Sequence, residues 1–560
     1  MTRRTASQSL AANACLAICL AAAPAGAEWF RLSQGQAFSD VSFEGYQVSP
    51  DGRWAVYLHD AETDGVLDLW SVALPAGTPV KLNATVPSPG VRSFRISPDG
   101  SRVVYTAEQD TGGVVELYSV PIAGPASAGV KLNGPLVAGG GVSPLSWGFR
   151  ISANSTRVVY YADQQTDDVF ELYSVPIAGP ASSGVKLNSA LVTGGDVLQA
   201  SFRISPNSSR VVYVADQQTD EVYELYSVPI GGPASAGVKL NGALVPFGDV
   251  FAFQISPNSA RVVYLADQQT NDVYELYSVP IAGPASAGVK LNGALVSGGE
   301  VFREFQISPN SARVVYVADQ QANNVIELYS VPIAGPASAG VKLNGALVAG
   351  GDVFRDFPEI SPNSARVVYQ ANQQTNDVYE LYSVPITGPA SAGFKLNGPL
   401  VANGDVGRSA ISPDSAWAVY VADQELDGWP MGYRAPLAGP AGSDERIWAT
   451  AVGDPSDFEI LPDSSTVVVR GNSAFIDSIV RLWTYPLAGT PDAFGTDWLG
   501  GQFQPNGEAT SFELLPDGSG AVYRADQEVD GQFELYLLYF RLWGDGFESG
   551  DTGRWSDVVP

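Results

Sequence analysis

Histidine occurs once in 560 residues and methionine and cysteine twice each, while basic residues number 31 against 59 acidic ones. Each scarcity excludes a class of chemistry. The single histidine, His59, cannot supply the imidazole sets of zinc, copper or haem sites, so no cofactor is expected. Placed at the end of a strand, it reads as a surface substitution. Both cysteines, Cys15 and Cys19, fall in the N-terminal leader-like segment, so the rest of the chain has neither disulfide nor thiol chemistry. A formal charge of -28 argues against nucleic acid and anionic lipid as partners. Charged residues are only 16% of the chain and apolar ones 45%, which excludes a disordered acidic polymer.

The first 27 residues combine Arg3 and Arg4, an apolar stretch to Ala23 and an Ala25-Gly26-Ala27 ending, the pattern of a cleaved signal peptide. Leu16-Ala17-Ile18-Cys19 places a bulky isoleucine where a lipoprotein signal needs a small residue. No later apolar run reaches 18 residues, so no transmembrane segment is expected. The protein is read as periplasmic or secreted.

What the chain has in abundance is itself. A phrase reading Ile-Ser-Pro-Asn-Ser-Ala-Arg-Val-Val-Tyr at its clearest returns ten times, its Ser-Pro dipeptide or the stand-in for it starting at Ser49, Ser97, Ser152, Ser205, Ser256, Ser308, Ser361, Ser412, Leu461 and Leu515. Steps of 48 to 55 residues mean stacked supersecondary units that bury their apolar faces against one another. Within one unit, Ala260 to Leu265 is a β-branched and aromatic run between Pro257-Asn258 and Asp267-Gln268-Gln269, and reads as a strand. Val273 to Val279 is a second strand closed by Pro280, Val289 to Asn292 a short third, and Glu300 to Ile307 a fourth. Four strands per unit without helical periodicity predict an all-β fold, a β-propeller of about ten blades over 28–543.

The chain ends are complementary. Trp29 to Ser33 matches the short third strand and Val41 to Tyr46 the fourth, while the last unit holds only the first two, Ala521 to Tyr523 and Phe533 to Tyr536. The N-terminal strands are therefore expected to complete the final blade and close the ring. Ten exceeds the usual four to eight blades, so two smaller tandem rings compete with one large ring. No linker lengthens the step, which favours the single ring.

Ser-Pro-Asp-Gly-Ser-Arg-Val-Val-Tyr at 97–105, followed by Glu116-Leu117-Tyr118-Ser119-Val120 and Lys131-Leu132-Asn133, resembles the WD40-like PD40 repeat of TolB-type propellers. That resemblance implies a fold more than an activity, because similar repeats serve periplasmic scaffolds and the propeller halves of prolyl-oligopeptidase-like peptidases. Units eight to ten depart from it, with Trp417, Thr466 and Gly520 in place of the usual arginine. A peptidase of that kind would need a Gly-Xaa-Ser-Xaa-Gly elbow and a histidine base, and the related lyases rely on histidine-bound metal. No enzyme activity is expected.

Two sets of residues are candidates for binding. Asp60, Asp163, Asp216, Asp267, Asp319, Asp423 and Asp526 all follow the first strand of their units and would form a circlet on one face, suited to cations or a basic peptide, or else simple Asx turns. One acid per blade does not make a calcium cage, and no metal site is expected. The second set lies where units disagree, before the Ile-Ser-Pro phrase: Trp147, Phe302, Arg303, Phe354 and Arg355, aromatic and arginine side chains of the kind that anchor protein contacts. The function expected is an exported scaffold for a protein or peptide partner; the alternative is a carbohydrate- or peptide-binding or hydrolysing propeller using carboxylates at the ring mouth. Residues 544–560, with Phe547 and Trp555 on a turn-rich acidic tail, resemble a terminal tag of exported bacterial proteins and are expected to pack on the ring.

Overall fold

The computed structural model describes residues 29–33, 40–355, 358–448, 457–472, 480–488, 496–497 and 507–540. The expected signal peptide and the tail 544–560 lie outside the described residues. Among the described residues, strands assemble into ten four-stranded antiparallel sheets, the blades of one propeller. Blade 5 is typical: inner strand Val250–Ile255, second strand Arg261–Ala266, third strand Glu275–Pro280 and outer strand Val289–Lys290. Blade 1 begins with Val41–Val48, and the second strands of blades 2, 3, 4, 6, 7, 8 and 9 begin at Arg102, Arg157, Arg210, Arg313, Arg366, Trp417 and Thr466.

The repeated phrase builds one turn and one ladder. In blade 5, Ser256 Oγ donates to Asn258 Oδ1 (2.8 Å) and accepts the Arg261 N–H (2.9 Å), folding the chain from inner to second strand. In blade 4, the Glu-Leu and Lys-Leu-Asn motifs interlock: Lys239 Nζ meets Glu224 Oε1 at 2.7 Å, Tyr226 donates to Glu224 Oε2 at 2.8 Å, and Asn241 Oδ1 accepts the Leu225 N–H at 2.8 Å. These contacts let a two-residue outer strand hold its place.

Each blade is covered on both sides, so the third strand is buried at five of its six residues and shows no alternation. Ten apolar clusters each join two consecutive blades; the tenth joins blade 10 to blade 1 through Leu32, Leu535 and Leu537 against Val41, Tyr57 and Val72. One closed ring of ten blades results. Closure differs in one respect from the expectation. Only Trp29–Arg31 enters blade 10, pairing Trp29 with Leu538, whereas Val41–Val48 is the inner strand of blade 1 and Ala509–Leu514 that of blade 10. The run read as a unit's fourth strand crosses over to lead the next blade, so the seam needs one N-terminal strand rather than two. No helix among the described residues is long and apolar enough to cross a membrane.

Candidate functional site

Antiparallel blades have two faces of different construction. The Ser-Pro turns between inner and second strands lie on one, the hairpin face. The loops that follow the second strand and the crossings that lead to the next inner strand lie on the other, the loop face, where both predicted sets of residues meet.

Four aspartates of the circlet, Asp163, Asp216, Asp267 and Asp319, are buried and occupied, whereas Asp423 is half-buried and holds only the Gly428 N–H of its own loop (3.2 Å). Asp216 accepts the Glu221 N–H of its own loop (3.2 Å) and the Asp196 N–H of the crossing. Asp163 accepts from Gly141 (2.6 Å) and Asp168 (3.2 Å), Asp267 from Asp272 (3.1 Å) and Asp249, and Asp319 from Asn324 (3.0 Å) and Glu300. Each carboxylate thus ties a loop to a crossing, the turn-forming role of an Asx residue. Burial, offset by a backbone hydrogen bond and reinforced by neighbouring Asp216, raises the carboxyl of Asp196 above its usual range. Asp163, Asp167 and Asp168 bring carboxylate oxygens within 4.8 Å of one another, two of the three residues being exposed. An acid cluster of this kind is not by itself a cation site.

The variable residues divide. Arg355 of blade 7 lies over the Phe302 ring of blade 6 at 4.8 Å, and Phe354 packs edge-on against Tyr379 at 5.2 Å, so these three share one stretch of the loop face. Arg303 beside them is exposed. Trp147 stands apart on blade 3, half-buried against Tyr161 at 6.1 Å and resting on the cluster between blades 3 and 4.

Two features escape the sequence reading. On blade 5, Phe247 is 85% exposed, near Phe251, which belongs to the variable stretch before the Ile-Ser-Pro phrase and is 43% exposed. Phe247 adopts φ +67°, at the position that blades 3, 4, 6 and 7 fill with Gly139, Gly194, Gly298 and Gly350 and blade 8 with Asn403. The signal was present as Phe247-Gly248 in place of the Gly-Gly of the sister crossings. The second feature is the residue just before the Ile-Ser-Pro phrase, which on several blades reaches from one inner strand to the next along the channel wall. The Ile96 N–H meets Gln47 Oε1 at 3.3 Å, Arg150 Nε donates to Phe202 O at 3.1 Å, the Ile411 N–H meets Glu359 Oε1 at 3.3 Å, and the Val48 N–H meets Glu513 Oε2 at 3.0 Å. Around the ring this position is arginine on blades 2, 3 and 4 (Arg95, Arg150, Arg203) and glutamate on blades 7, 9 and 10 (Glu359, Glu459, Glu513). The channel wall therefore carries arginines on blades 2 to 4 and acids on blades 7, 9 and 10, with Arg408 of blade 8 close enough to Glu359 and Glu459 to act on both. Burial and the nearby Glu459 push Glu513 up to about 7.

His59, read as a surface residue, is fully buried: both ring nitrogens lack hydrogen-bond partners, and burial holds the imidazole down to about 4. It occupies the end of the second strand, where Ala107 and its counterparts are also completely covered by the neighbouring blade.

No family model matches this sequence, and no curated protein does. Solved structures with similar folds include dipeptidyl peptidase 4 of Porphyromonas gingivalis, 10% identical with a TM-score of 0.43 over 86% of this chain and 64% of that one. A structure described as a TolB protein of Agrobacterium tumefaciens is 20% identical with a TM-score of 0.27, covering 52% of this chain and 91% of that one. An oligogalacturonate lyase in complex with manganese is 12% identical with a TM-score of 0.31, covering 61% and 88% respectively. At these values the likenesses carry no functional argument.

Proposed function

We propose that this protein is an exported, non-enzymatic binding scaffold whose loop face captures a protein or peptide. Phe247 carries the reading. A bulky side chain in the left-handed region costs about 1–3 kcal/mol, and leaving its ring in water forfeits the gain of burial. Both costs are recovered when the ring enters a partner's pocket, the usual role of an interface aromatic. Exposed Asp220, Glu221 and Asp272 on the loops of blades 4 and 5 suit a partner with basic groups around that pocket. A hydrolytic or sugar-binding mouth would draw on the acids of the same face, and their engagement with backbone N–H groups supports the binding reading instead.

The test is affinity capture from envelope and culture-supernatant fractions with wild type, Phe247→Gly and Phe251→Ala. Phe247→Gly restores the sister-blade residue and should leave stability equal or raised by up to about 1 kcal/mol, while the captured partner is lost. A partner retained equally by both variants would defeat the proposal.

A further inference from the structure

Arg95, Arg150 and Arg203 occupy one cavity of about 340 Å³ in the channel wall near the hairpin face, together with Ile96, Ile151 and Ile204. In a chain with nearly twice as many acidic as basic residues, none of the three forms an ion pair among the described residues. Their partners are backbone carbonyls: Arg95 Nε and Nη2 donate to Ser146 O (3.2 and 2.8 Å), and Arg203 Nη1 donates to Ala200 O (3.1 Å) and Phe202 O (3.0 Å). Arg150 donates one bond to Phe202 O and lies over the Phe202 ring at 5.6 Å. Each guanidinium is thereby fixed while retaining free N–H donors. Burial and the two neighbouring arginines lower Arg150 to about 10, the signature of cations crowded without a counter-charge.

We propose that this arc is a binding site for a ligand bearing two or three carboxylates on one flexible backbone. The charges are set one per blade along the wall instead of converging on a point, so they match spaced carboxylates better than a single tetrahedral oxyanion. A fixed guanidinium fork matches a carboxylate in two parallel hydrogen bonds. The isoleucines between the arginines accept the aliphatic carbons that link the carboxylates, and Gln47 and Gln254 on the flanking blades extend the wall with neutral amide donors. Glu359 and Glu459 across the channel and Glu513 at one end of the arc repel a misplaced anion and fix which way round the ligand lies. Two sources carry this chemistry: a small organic polycarboxylate, or an acidic run in a peptide. The cavity is lined by neither Phe247 nor Phe251, so its test is read apart from that of the scaffold reading.

Isothermal titration of the purified protein with tricarballylate, hexaglutamate and inorganic phosphate tests it. At least one carboxylate ligand should bind, with an affinity that falls as salt rises; tricarballylate alone identifies a small-molecule source, hexaglutamate alone a peptide. Arg150→Gln should weaken binding about tenfold and the triple glutamine variant abolish it, while Arg53→Gln, whose side chain is 80% exposed, binds as wild type. Should the triple variant misfold by circular dichroism, Arg203→Gln alone removes an exposed side chain and should still weaken binding several-fold. Failure of both carboxylate ligands, binding that survives the arginine substitutions, or phosphate binding as tightly as either would overturn the proposal.

Discussion

In blade 5 the second strand opens with Arg261, whose Nε donates to Ser278 Oγ at 2.7 Å and whose Nη2 donates to Ser278 O at 3.1 Å on the third strand. The same pair recurs in blades 2, 3, 4, 6 and 7. In blade 8 the arginine has changed strands: Trp417 replaces it, and Arg434 takes the serine's place, its guanidinium 4.8 Å from the Trp417 ring. The link to the next blade survives the exchange. Ser383 Oγ of blade 7 donates to Leu437 O of blade 8 at 2.8 Å, and Arg434 Nη1 donates to Leu487 O of blade 9. From blade 7 to blade 9 the bond between blades is therefore kept while the residues that make it change as a pair.

A second exchange in blade 8 offers the strongest way to break this comparison. Sister blades set a leucine against an asparagine, as where Asn397 Oδ1 accepts the Leu381 N–H at 2.8 Å. Blade 8 has Gly432 against Trp448, paired in register and so close that a Cβ on Gly432 would lie 1.9 Å from the indole. Trp448 is completely buried. Trp448→Ala should destabilise by about 3–5 kcal/mol, and Gly432→Leu should be comparably damaging because the ring already fills the space. Combining Gly432→Leu with Trp448→Asn rebuilds the sister pair and should return the urea midpoint to near wild type. A double variant no better than the singles would show that the pair is not interchangeable.

Blade 1 differs from its sisters at His59, where they carry a buried alanine, and pH exposes the difference. Burial, against the opposing effect of Asp60 and Asp40 and with a small contribution from Arg31, lowers the folded imidazole from 6.5 to about 4. Between those values the unfolded chain binds a proton that the fold does not, so stability rises with pH. The contribution is complete above 6.5 and is lost as pH falls towards 4, by up to about 3 kcal/mol. Denaturant midpoints at pH 7 and pH 4.5 measure it. His59→Ala should reduce that pH dependence; an unchanged slope would mean that the histidine is hydrated in the fold.

The same comparison shows what a repeat sequence makes legible. Strand identity and the number of repeats follow from residues close together in the chain, such as Ala260 to Leu265 with its flanking turns, whereas closure pairs Trp29–Arg31 with the far end of the chain. The arginine arc is not local either, because Arg95, Arg150 and Arg203 are fifty-odd residues apart, and one changing residue beside a constant Ile-Ser-Pro looks like drift until the ring lines the three up. His59 was misread for a related reason. Its strand ends at the loop face, but the neighbouring blade covers that end, and coverage from a blade fifty residues away leaves no local trace. The aspartates of the circlet were legible as turn formers, and the structure adds the crossing N–H that all but Asp423 also hold.

The smallest expected effect concerns the hairpin face, where a serine in each of blades 3 to 9 accepts the turn N–H of the preceding blade. Ser155, Ser208, Ser259, Ser311, Ser364, Ser415 and Ser464 make these bonds at 2.9 to 3.1 Å, all at φ between 56° and 62°. Blades 10, 1 and 2 have Gly518, Gly52 and Gly100 there, so the belt is missing around the seam, which Trp29–Arg31 and the Arg31 to Glu534 ion pair hold instead. Serine in this conformation incurs strain of about 1 kcal/mol and gains a hydrogen bond worth about the same. Ser259→Ala keeps the strain and loses the bond, and should cost about 1 kcal/mol. Gly518→Ser adds both, with room for its Cβ 3.4 Å from Pro462, and should leave the urea midpoint within about 0.5 kcal/mol of wild type. Its effect should appear in amide exchange instead, as new protection of the Asp463 N–H in the preceding turn, because exchange reports the local bond where the midpoint reports only the sum of bond and strain. An Asp463 amide that exchanges at the wild-type rate would show that the seam is spaced differently from the rest of the ring.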